Sequence, residues 1–570
     1  MRAATEMDIN TVAIYSQEDR YALHRYKADE SYLVGKGKSP IDAYLDIDDI
    51  IRIATDSQVD AIHPGYGFLS ENPDFADACE AAGIIFVGPS GHTMRKLGSK
   101  VAARELAKGA NVPVMPATGP LPKNEKRIKK LAKTLGYPIM VKATWGGGGR
   151  GMRVVNSEKQ LIENVSAARR EAEGAFGSSE VYLEKLVSKA RHVEIQIIGD
   201  RHGNVVHLYE RDCTVQRRHQ KVIERAPAVY LNSTSRQSLC SEAIKVATAA
   251  HYRNAGTVEF LQDADSGKFY FIEVNPRIQV EHTVTEWVTG VDLIQAQIKI
   301  AEGARIGTFE SGIPKQEDIP LYGHAIQCRV TTEDPDNNFI PDYGRLTAYR
   351  SPSGFGIRLD AGTAFSGALI TRFYDSLLVK VTSWAPDAKG AASRMDRALR
   401  EFRIRGINSN LFFLESVIRH PKFLKATYAT NFIDETPELF HFSQRRDRAT
   451  RLLNFVGKVI VNGNNELKGT SAPDHAAIPI APTTPSVEPP TGSKQLLEKL
   501  GPIKFAQWML DQDRVLITDT TMRDAQQSLL ATRVRTNDIV NIAKAYAHLL
   551  PNIFSMECWG GQLLMLPCGS

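Results

Sequence analysis

The sequence is sparing with cysteine, with long apolar runs and with charge of one sign. Its six cysteines (Cys79, Cys213, Cys240, Cys328, Cys558 and Cys568) lie far apart in 570 residues with no CxxC pair. That argues against a disulfide framework or a zinc site and fits a reducing compartment. No stretch approaches the roughly 18 uninterrupted apolar residues of a membrane-spanning helix. Basic residues number 70 and acidic residues 65, well dispersed, so neither nucleic acid nor a membrane surface is expected as a partner. The N-terminus lacks an apolar core and carries Glu6, Asp8, Glu18 and Asp19 early, unlike a signal or transit peptide. The expected location is the cytoplasm, or the mitochondrial matrix if a segment precedes Met1. What is present, 42% apolar and 24% charged residues, is the balance of a globular chain of about four domains.

The first hundred residues alternate helical and strand-like segments, the pattern of a parallel α/β sheet. Arg2 to Met7 reads as a helix with no strand before it, and Thr11 to Tyr15 as a short apolar run. Asn72-Pro73 opens a helical stretch ending at Gly83, and Ile84 to Val87 reads as a buried strand closed by Gly88-Pro89. Lys100 to about Ala301 is strand-rich. From Tyr322 to about Asp434 strands (Ala325 to Val330, Ser376 to Val381) are followed by helices. Ala472 to Ser493, with Pro473, Pro479, Pro482, Pro485, Pro489 and Pro490, reads as a linker. Beyond it Phe505 to Leu510 looks helical and Val515 to Thr518 strand-like.

Three segments carry chemistry. Gly146 to Gly151, between strand-like runs and flanked by Lys142 and Arg150, lets backbone N–H groups approach an anion. It is neither a Walker A loop nor a Rossmann turn; the plain alternative is a hairpin tip. Gly256 to Gln262 and Lys268 to Val274 read as a hairpin closed at Asp265-Ser266-Gly267. In that register Asp263 faces Phe269 and Glu259 faces Glu273. Val258, Phe260, Ile272 and Val274 then form an apolar face. Opposed glutamates destabilise a sheet unless a cation sits between them. Mg²⁺ would resolve the conflict, with Asn275 as a third oxygen donor; the alternative is two solvated side chains. Asn275 to His282 then packs Arg, Gln, Glu and His beside that place, an anion pocket with a resident base. Upstream, Arg211 to Lys221 is a dense basic run, readable as a solvated loop or as a phosphate contact.

Taken together these segments resemble the biotin carboxylase domain of biotin-dependent carboxylases, an ATP-grasp fold. The resembling motifs are HPGYGFLSEN (His63 to Asn72), KATWGGGGRGMRVV, EKLVSKARHVEIQ (Glu184 to Gln196), RDCTVQRRHQKVIERAP and FIEVNPRIQVEHTVTE, spread over nearly 450 residues. The resemblance implies that Lys100 and Lys142 bind ATP phosphates, with the loop containing Gly147 and Gly148 closing over them. It implies that Glu184, Lys185, Val187 and His192 surround adenine and ribose, with Gln216 and His219 also at the nucleotide. Glu259 and Glu273, with Asn275, would hold Mg²⁺ or Mn²⁺. Lys221, Arg277, Gln279, Val280 and Glu281 would bind bicarbonate, and Arg329 the biotin ring. Glu281 would deprotonate bicarbonate for attack on ATP, and Arg277 and Arg329 would stabilise the biotin enolate-like oxygen. Expected partners are bicarbonate, biotin or a biotinylated carrier carried elsewhere, and further copies of the chain, four in the complete enzyme.

Thr518 to Arg533 (TDTTMRDAQQSLLATR) is similar to the opening of the carboxyltransferase barrel of the pyruvate carboxylase family. There Asp524 would ligate the barrel's divalent metal, and Arg523 and Gln527 would contact pyruvate. Position 526 is Gln where the family has His, and Trp145 replaces the smaller or phenolic residue usual before the glycines. The family's opening strand is missing, Gln562 to Ser570 matches nothing expected there, and no His-x-His pair or Met-Lys-Met carrier motif occurs. The chain thus reads as a fragment or variant product.

The expected fold class is α/β, in five parts. These are a doubly wound first subdomain lacking its first strand (1–98), an ATP-grasp core (99–302), a C-terminal biotin carboxylase subdomain (303–435), a linker (436–510), and the stub of a TIM-type barrel (511–570). The expected activity is ATP- and bicarbonate-dependent carboxylation of biotin, the first half of converting pyruvate to oxaloacetate, without the second half. Leu563, Leu564 and Leu566 of the stub are expected to be exposed. Two alternatives stand: a biotin carboxylase subunit of an acyl-CoA carboxylase, and a catalytically silent assembly subunit.

Overall fold

A computed structural model describes residues 1–145, 152–362, 364–442, 448–463, 480–525 and 535–558. The chain divides into two units, Met1–Gln444 and Arg445–Ser570.

Local chemistry places the first helices. Asn72 caps Pro73–Ala81, its side chain accepting from the N–H groups of Asp74 and Phe75, with Pro73 in the first turn. Two parallel pairs follow the expected alternation: Val12–Tyr15 beside Glu30–Leu33, and Ala61–Ile62 beside Ile85–Phe86. The single sheet expected here is therefore two separate pairs, with no described strand bridging them. The strand expected at Ile84 to Val87 shortens to Ile85–Phe86. Ile84 and Val87 are the buried residues, and Ile85 is 42% exposed.

The core of the first unit is an eight-stranded antiparallel sheet. Its strands are β1 (Ala190–Gly199), β2 (Val205–Arg217), β3 (Gln220–Ala226), β4 (Asn254–Asp263), β5 (Phe269–Asn275), β6 (His324–Thr331), β7 (Ile357–Ala361) and β8 (Leu377–Ala385). Their spatial order is β5-β4-β1-β2-β3-β6-β8-β7. Helices Lys100–Gly109 and Ser233–Ala249 pack their small and apolar residues on one end, against Val193, Ile195, Val258 and Phe260. Helices Ala388–Glu401 and Leu411–Arg419 cover the other, against Cys328, Val330, Val379 and Val381. A smaller sheet, Arg153–Val155, Ile139–Ala143 and Val181–Lys185, carries its own core beneath helices Glu125–Leu135 and Glu158–Phe176. Cys79, Cys213, Cys240 and Cys328 are free and buried, and Cys558 is free and exposed, as the spacing implied.

The hairpin register holds at the site and slips toward the turn. Glu259 faces Glu273, but beyond them Phe260 faces Phe271, and Gln262 rather than Asp263 faces Phe269. A bulge at Ile272 absorbs the extra residue. Phe271 therefore takes the core place expected of Ile272, its ring edge-on to Phe260, and Ile272 turns to a cavity. Strict two-residue alternation could not show this.

One glycine of β4 is set by close approach. A Cβ at Gly256 would fall 2.2 Å from the Tyr252 hydroxyl oxygen. That ring is buried and its hydroxyl donates to the Ala255 carbonyl at 3.0 Å, so it cannot step aside. Gly256→Ala is expected to cost about 1–3 kcal/mol through overpacking. Calorimetry should show a melting temperature several degrees lower; an unchanged melt would contradict it.

Residues 436–510, expected as a linker, run across the boundary of the two units: Leu439 belongs to the first unit's core, and the part from Arg445 on is in the second. Helices Arg448–Asn462 and Ser493–Leu510 lie there, the latter broken at Gly501 (φ 74°) ahead of Pro502. The helix expected at Phe505 thus follows the break at Gly501, and a separate helical stretch from Ser493 precedes it. Residues 480–492 form neither helix nor strand, while 464–479 lie outside the described residues. The strand expected at Val515 is Thr518–Asp519, paired in parallel with Ser555–Met556 around helix Thr536–Leu549. Leu563, Leu564 and Leu566 lie outside the described residues. No described helix is long and apolar enough to cross a membrane.

Candidate active site

Four strands bring charge into one rung of the large sheet. Glu273 on β5 lies opposite Glu259 on β4, Glu259 opposite Glu194 on β1, and Glu194 opposite Arg211 on β2. Three carboxylates in a row need cations, and the protein supplies them. Lys100 Nζ is 3.2 Å from Glu273, and Lys221 Nζ donates to Glu194 at 2.5 Å, Glu259 at 3.0 Å and Glu281 at 2.6 Å. His192 Nε2 lies 3.1 Å from Glu259. The Asn275 and Gln279 amides also donate to Glu259, at 2.9 and 3.2 Å.

Titration follows from this packing. Burial alone would keep Glu259 and Glu281 protonated. Lys221 and His192 nevertheless hold Glu259 well below the usual carboxylate range, and Lys221, Arg329 and Arg211 do the same for Glu281. Burial opposes the Lys221 charge in turn, and the three glutamates raise its pKa well above the ordinary value. Arg329 bridges Glu224 (2.6 Å) and Glu281 (3.0 Å). Arg277 bonds Glu71 and leans toward Asn275.

His192, Lys221, Glu259, Glu281 and Arg329 line one cavity of about 500 Å³, together with residues expected at the nucleotide, while Glu71, Glu194, Arg211 and Glu224 stand behind its wall. Lys142 pairs with Glu184, and Lys100, Val187, His192, Gln216 and His219 also line it. Lys185 lines the cavity too, but its ammonium donates to the Gly136 and Tyr137 carbonyls at 2.8 and 3.1 Å. Gln216 donates to the Cys213 carbonyl at 2.9 Å. Lys221, Arg277, Gln279, Val280, Glu281 and Arg329 line the same cavity, with Glu259, Glu273 and Asn275 also on the wall. Gly147, Gly148 and Gln527 lie outside the described residues. Arg523 and Asp524 belong to the second unit, where Arg523 pairs with Asp524 at 3.2 Å and Glu557 at 2.9 Å.

Sequence reasoning missed Glu194, Glu224 and Glu71. Glu194 had a signal: His192, Glu194 and Gln196 alternate in HVEIQ and share one face of β1. The basic run from Arg211 is not a solvated loop. It spans β2 and the start of β3, and Arg211 is wholly buried.

Beside this site, helix His282–Thr289 holds Glu286, which accepts from Arg358 at 2.5 Å and lies 3.7 Å from His282. Burial outweighs Arg358 and, with Asp292 nearby, pushes the carboxyl up to about 7, while burial keeps His282 neutral. The folded state thus holds this proton more tightly than the unfolded chain. Its stabilisation is complete below about pH 4.5 and lost as pH rises toward 7, about 3 kcal/mol in all. Melting temperatures of Glu286→Gln should vary less than wild type between about pH 5 and 8; parallel curves would contradict this.

Comparison with known proteins agrees with the geometry. Family profiles match at residues 1–94 (biotin carboxylase, N-terminal domain), 99–308 (carbamoyl-phosphate synthase L chain, ATP binding domain) and 327–435 (biotin carboxylase C-terminal domain). The chain is 53% identical to pyruvate carboxylase of Bacillus subtilis over 560 residues, 98% of this chain and 49% of that one. A Rhizobium etli pyruvate carboxylase solved with its allosteric activator acetyl coenzyme A superposes with TM-score 0.76 at 63% identity, over 98% of this chain and 50% of that one. The biotin carboxylase domain dimer of Hydrogenobacter thermophilus 2-oxoglutarate carboxylase, solved with MgADP, ADP and bicarbonate, superposes with TM-score 0.74 at 41% identity. It covers 78% of this chain and 96% of that domain. The chain spans about half the length of the curated relatives it matches. With the N-terminal, ATP binding and C-terminal domain profiles matched and a 41% identical biotin carboxylase domain covered almost in full, the chain belongs to the biotin carboxylase family and is a homologue of the pyruvate carboxylases.

Proposed function

We propose that this chain carboxylates biotin at the expense of ATP and bicarbonate, the first half of converting pyruvate to oxaloacetate. The observation that carries the reading is the placement of Glu281 between Lys221 (2.6 Å) and Arg329 (3.0 Å) in the cavity that also holds Lys100 and Lys142. Both cations would also engage bicarbonate. As they turn to the incoming anion, the Glu281 carboxylate regains basicity and takes its proton. The bicarbonate oxygen then attacks the γ-phosphorus, and the bond to the ADP oxygen breaks. Lys100 and Lys142 meet charge on the phosphates. Carboxyphosphate splits into CO₂ and phosphate, and the phosphate takes the N1 proton of biotin. Arg277 and Arg329 stabilise the ring's enolate-like oxygen while N1 attacks CO₂.

Glu259 and Glu273, with the Asn275 amide beside them, are a hard-oxygen donor set of the kind Mg²⁺ or Mn²⁺ takes, and Lys100 and Lys221 already bring positive charge there. Such an ion, when bound, offsets phosphate charge during transfer. Biotin would arrive on a carrier domain. Self-association would run through Met1–Gln444, as the dimeric state of the Hydrogenobacter domain suggests.

The test is ADP release by the purified chain with ATP, Mg²⁺, bicarbonate and free biotin. Release should require bicarbonate and rise with biotin. ATP cleavage indifferent to bicarbonate would overturn the reading.

A further inference from the structure

The proposed mechanism gives Arg211 no contact with a substrate, yet it is the largest wholly buried side chain of the described residues, fully charged and 0% exposed. Its five N–H donors are all used. Nε donates to Glu194 Oε1 at 2.5 Å, one terminal nitrogen to Gln196 Oε1 (2.6 Å) and Thr285 Oγ1 (3.1 Å), and the other to Thr257 Oγ1 (2.9 Å) and Gln279 Oε1 (2.8 Å). A fold that needed only to neutralise Glu194 could use Lys221, which already donates to that carboxylate. The fork does something a point charge cannot.

We infer that Arg211 is a positioning residue for the groups that would bind bicarbonate, acting through Gln279 and Glu194; this rests on the carboxylation reading. A guanidinium can only donate, so Gln279 must turn its carbonyl oxygen to Arg211 and its NH₂ toward Glu259 and the cavity. The amide's two ends are thereby fixed, and the end offered to an anion is the donor. Glu194 is divided the same way, one oxygen on Arg211 and the other on Lys221. Arg211 thus fixes both a neutral donor and the anchor of a charged one. Thr257 on β4 and Thr285 on the helix after Glu281 lock the fork in plane.

Arg211→Lys keeps the charge and removes the fork. The Michaelis constant for bicarbonate should rise about tenfold to a hundredfold, the range expected when a positioning contact shifts a bound group by an ångström. The constant for ATP should change less than about threefold, a split that general loosening would not give. Gln279→Ala should raise the bicarbonate constant too, and the double variant should be no worse than the poorer single, because the two act as one unit. Thr285→Val, a smaller change to the same fork, should raise the bicarbonate constant a few-fold, and it decides the question if Arg211→Lys does not fold. Bicarbonate constants unchanged in Thr285→Val and Arg211→Lys, or rising in step with those for ATP, would overturn the role.

Carbon-13 bicarbonate binding by NMR, alongside ADP binding, separates this role from the carboxylation reading. If the wild type binds bicarbonate without turning over, the loss of that signal in the variants with ADP binding kept still supports the role. A wild-type chain that neither binds bicarbonate nor depends on it would overturn both.

Discussion

Glu281→Gln is expected to abolish bicarbonate-dependent ADP release, lowering turnover by about two to four orders of magnitude, the span of a lost general base. The amide keeps the shape but cannot take the proton. The fold should survive, since Lys221 retains Glu194 and Glu259, and Arg329 retains Glu224. ADP binding should persist, separating lost chemistry from lost structure. The strongly lowered pKa adds a second expectation. Its stabilisation of the fold is present above the unfolded value of about 4.5 and lost only as pH falls below it, toward the folded value. In the free chain Glu281 thus stays ionised through the neutral range, so a fall of wild-type kcat/KM between about pH 7 and 5 is expected from other groups. Turnover by Glu281→Gln within tenfold of wild type would remove Glu281 from the mechanism.

Glu273→Gln should cut ATP turnover by about two orders of magnitude or more, comparable to losing an electrostatic stabiliser of the transferring phosphoryl group. Two effects combine. A donor suited to a hard cation is lost, and Lys100 loses the carboxylate that raises its pKa. Stability should change little, because the pair is partly exposed, with the Glu273 side chain 24% accessible. Raising Mg²⁺ should recover part of the loss if the ion is held weakly rather than not at all. Wild-type ATPase in this variant would sink the assignment.

The site was legible in proportion to how local its determinants are. Glu259 opposite Glu273 was expected by counting from the turn; the count is one residue off at Phe269, and the bulge restores it at the glutamate pair. The bulge at Ile272 was not legible, because it depends on Phe271 finding a place beside Phe260 in the core. Arg211 was visible as charge but not as burial. Its partners are drawn from four other segments, Glu194 and Gln196, Thr257, Gln279 and Thr285, and only the folded sheet brings them together. The assignment of Lys221, Arg277, Glu281 and Arg329 to one place came from resemblance, and the cavity gathers them. In the first hundred residues, apolar runs marked Val12–Tyr15 and Ile85–Phe86 but not their partners Glu30–Leu33 and Ala61–Ile62, since pairing is a contact across long loops.

The bulge makes the hairpin a joint between two independent rulers. On the site side, Thr257 with Asn275 and Glu259 with Glu273 are set by the sheet. On the far side, pairing is set by a solvent-exposed turn at Asp265, Ser266 and Gly267. Extra residues at that turn spend their slack before reaching the carboxylates. A short peptide tag spliced between Ser266 and Gly267 should therefore leave ATP turnover intact, giving a labelling handle on the strand that carries the catalytic charge.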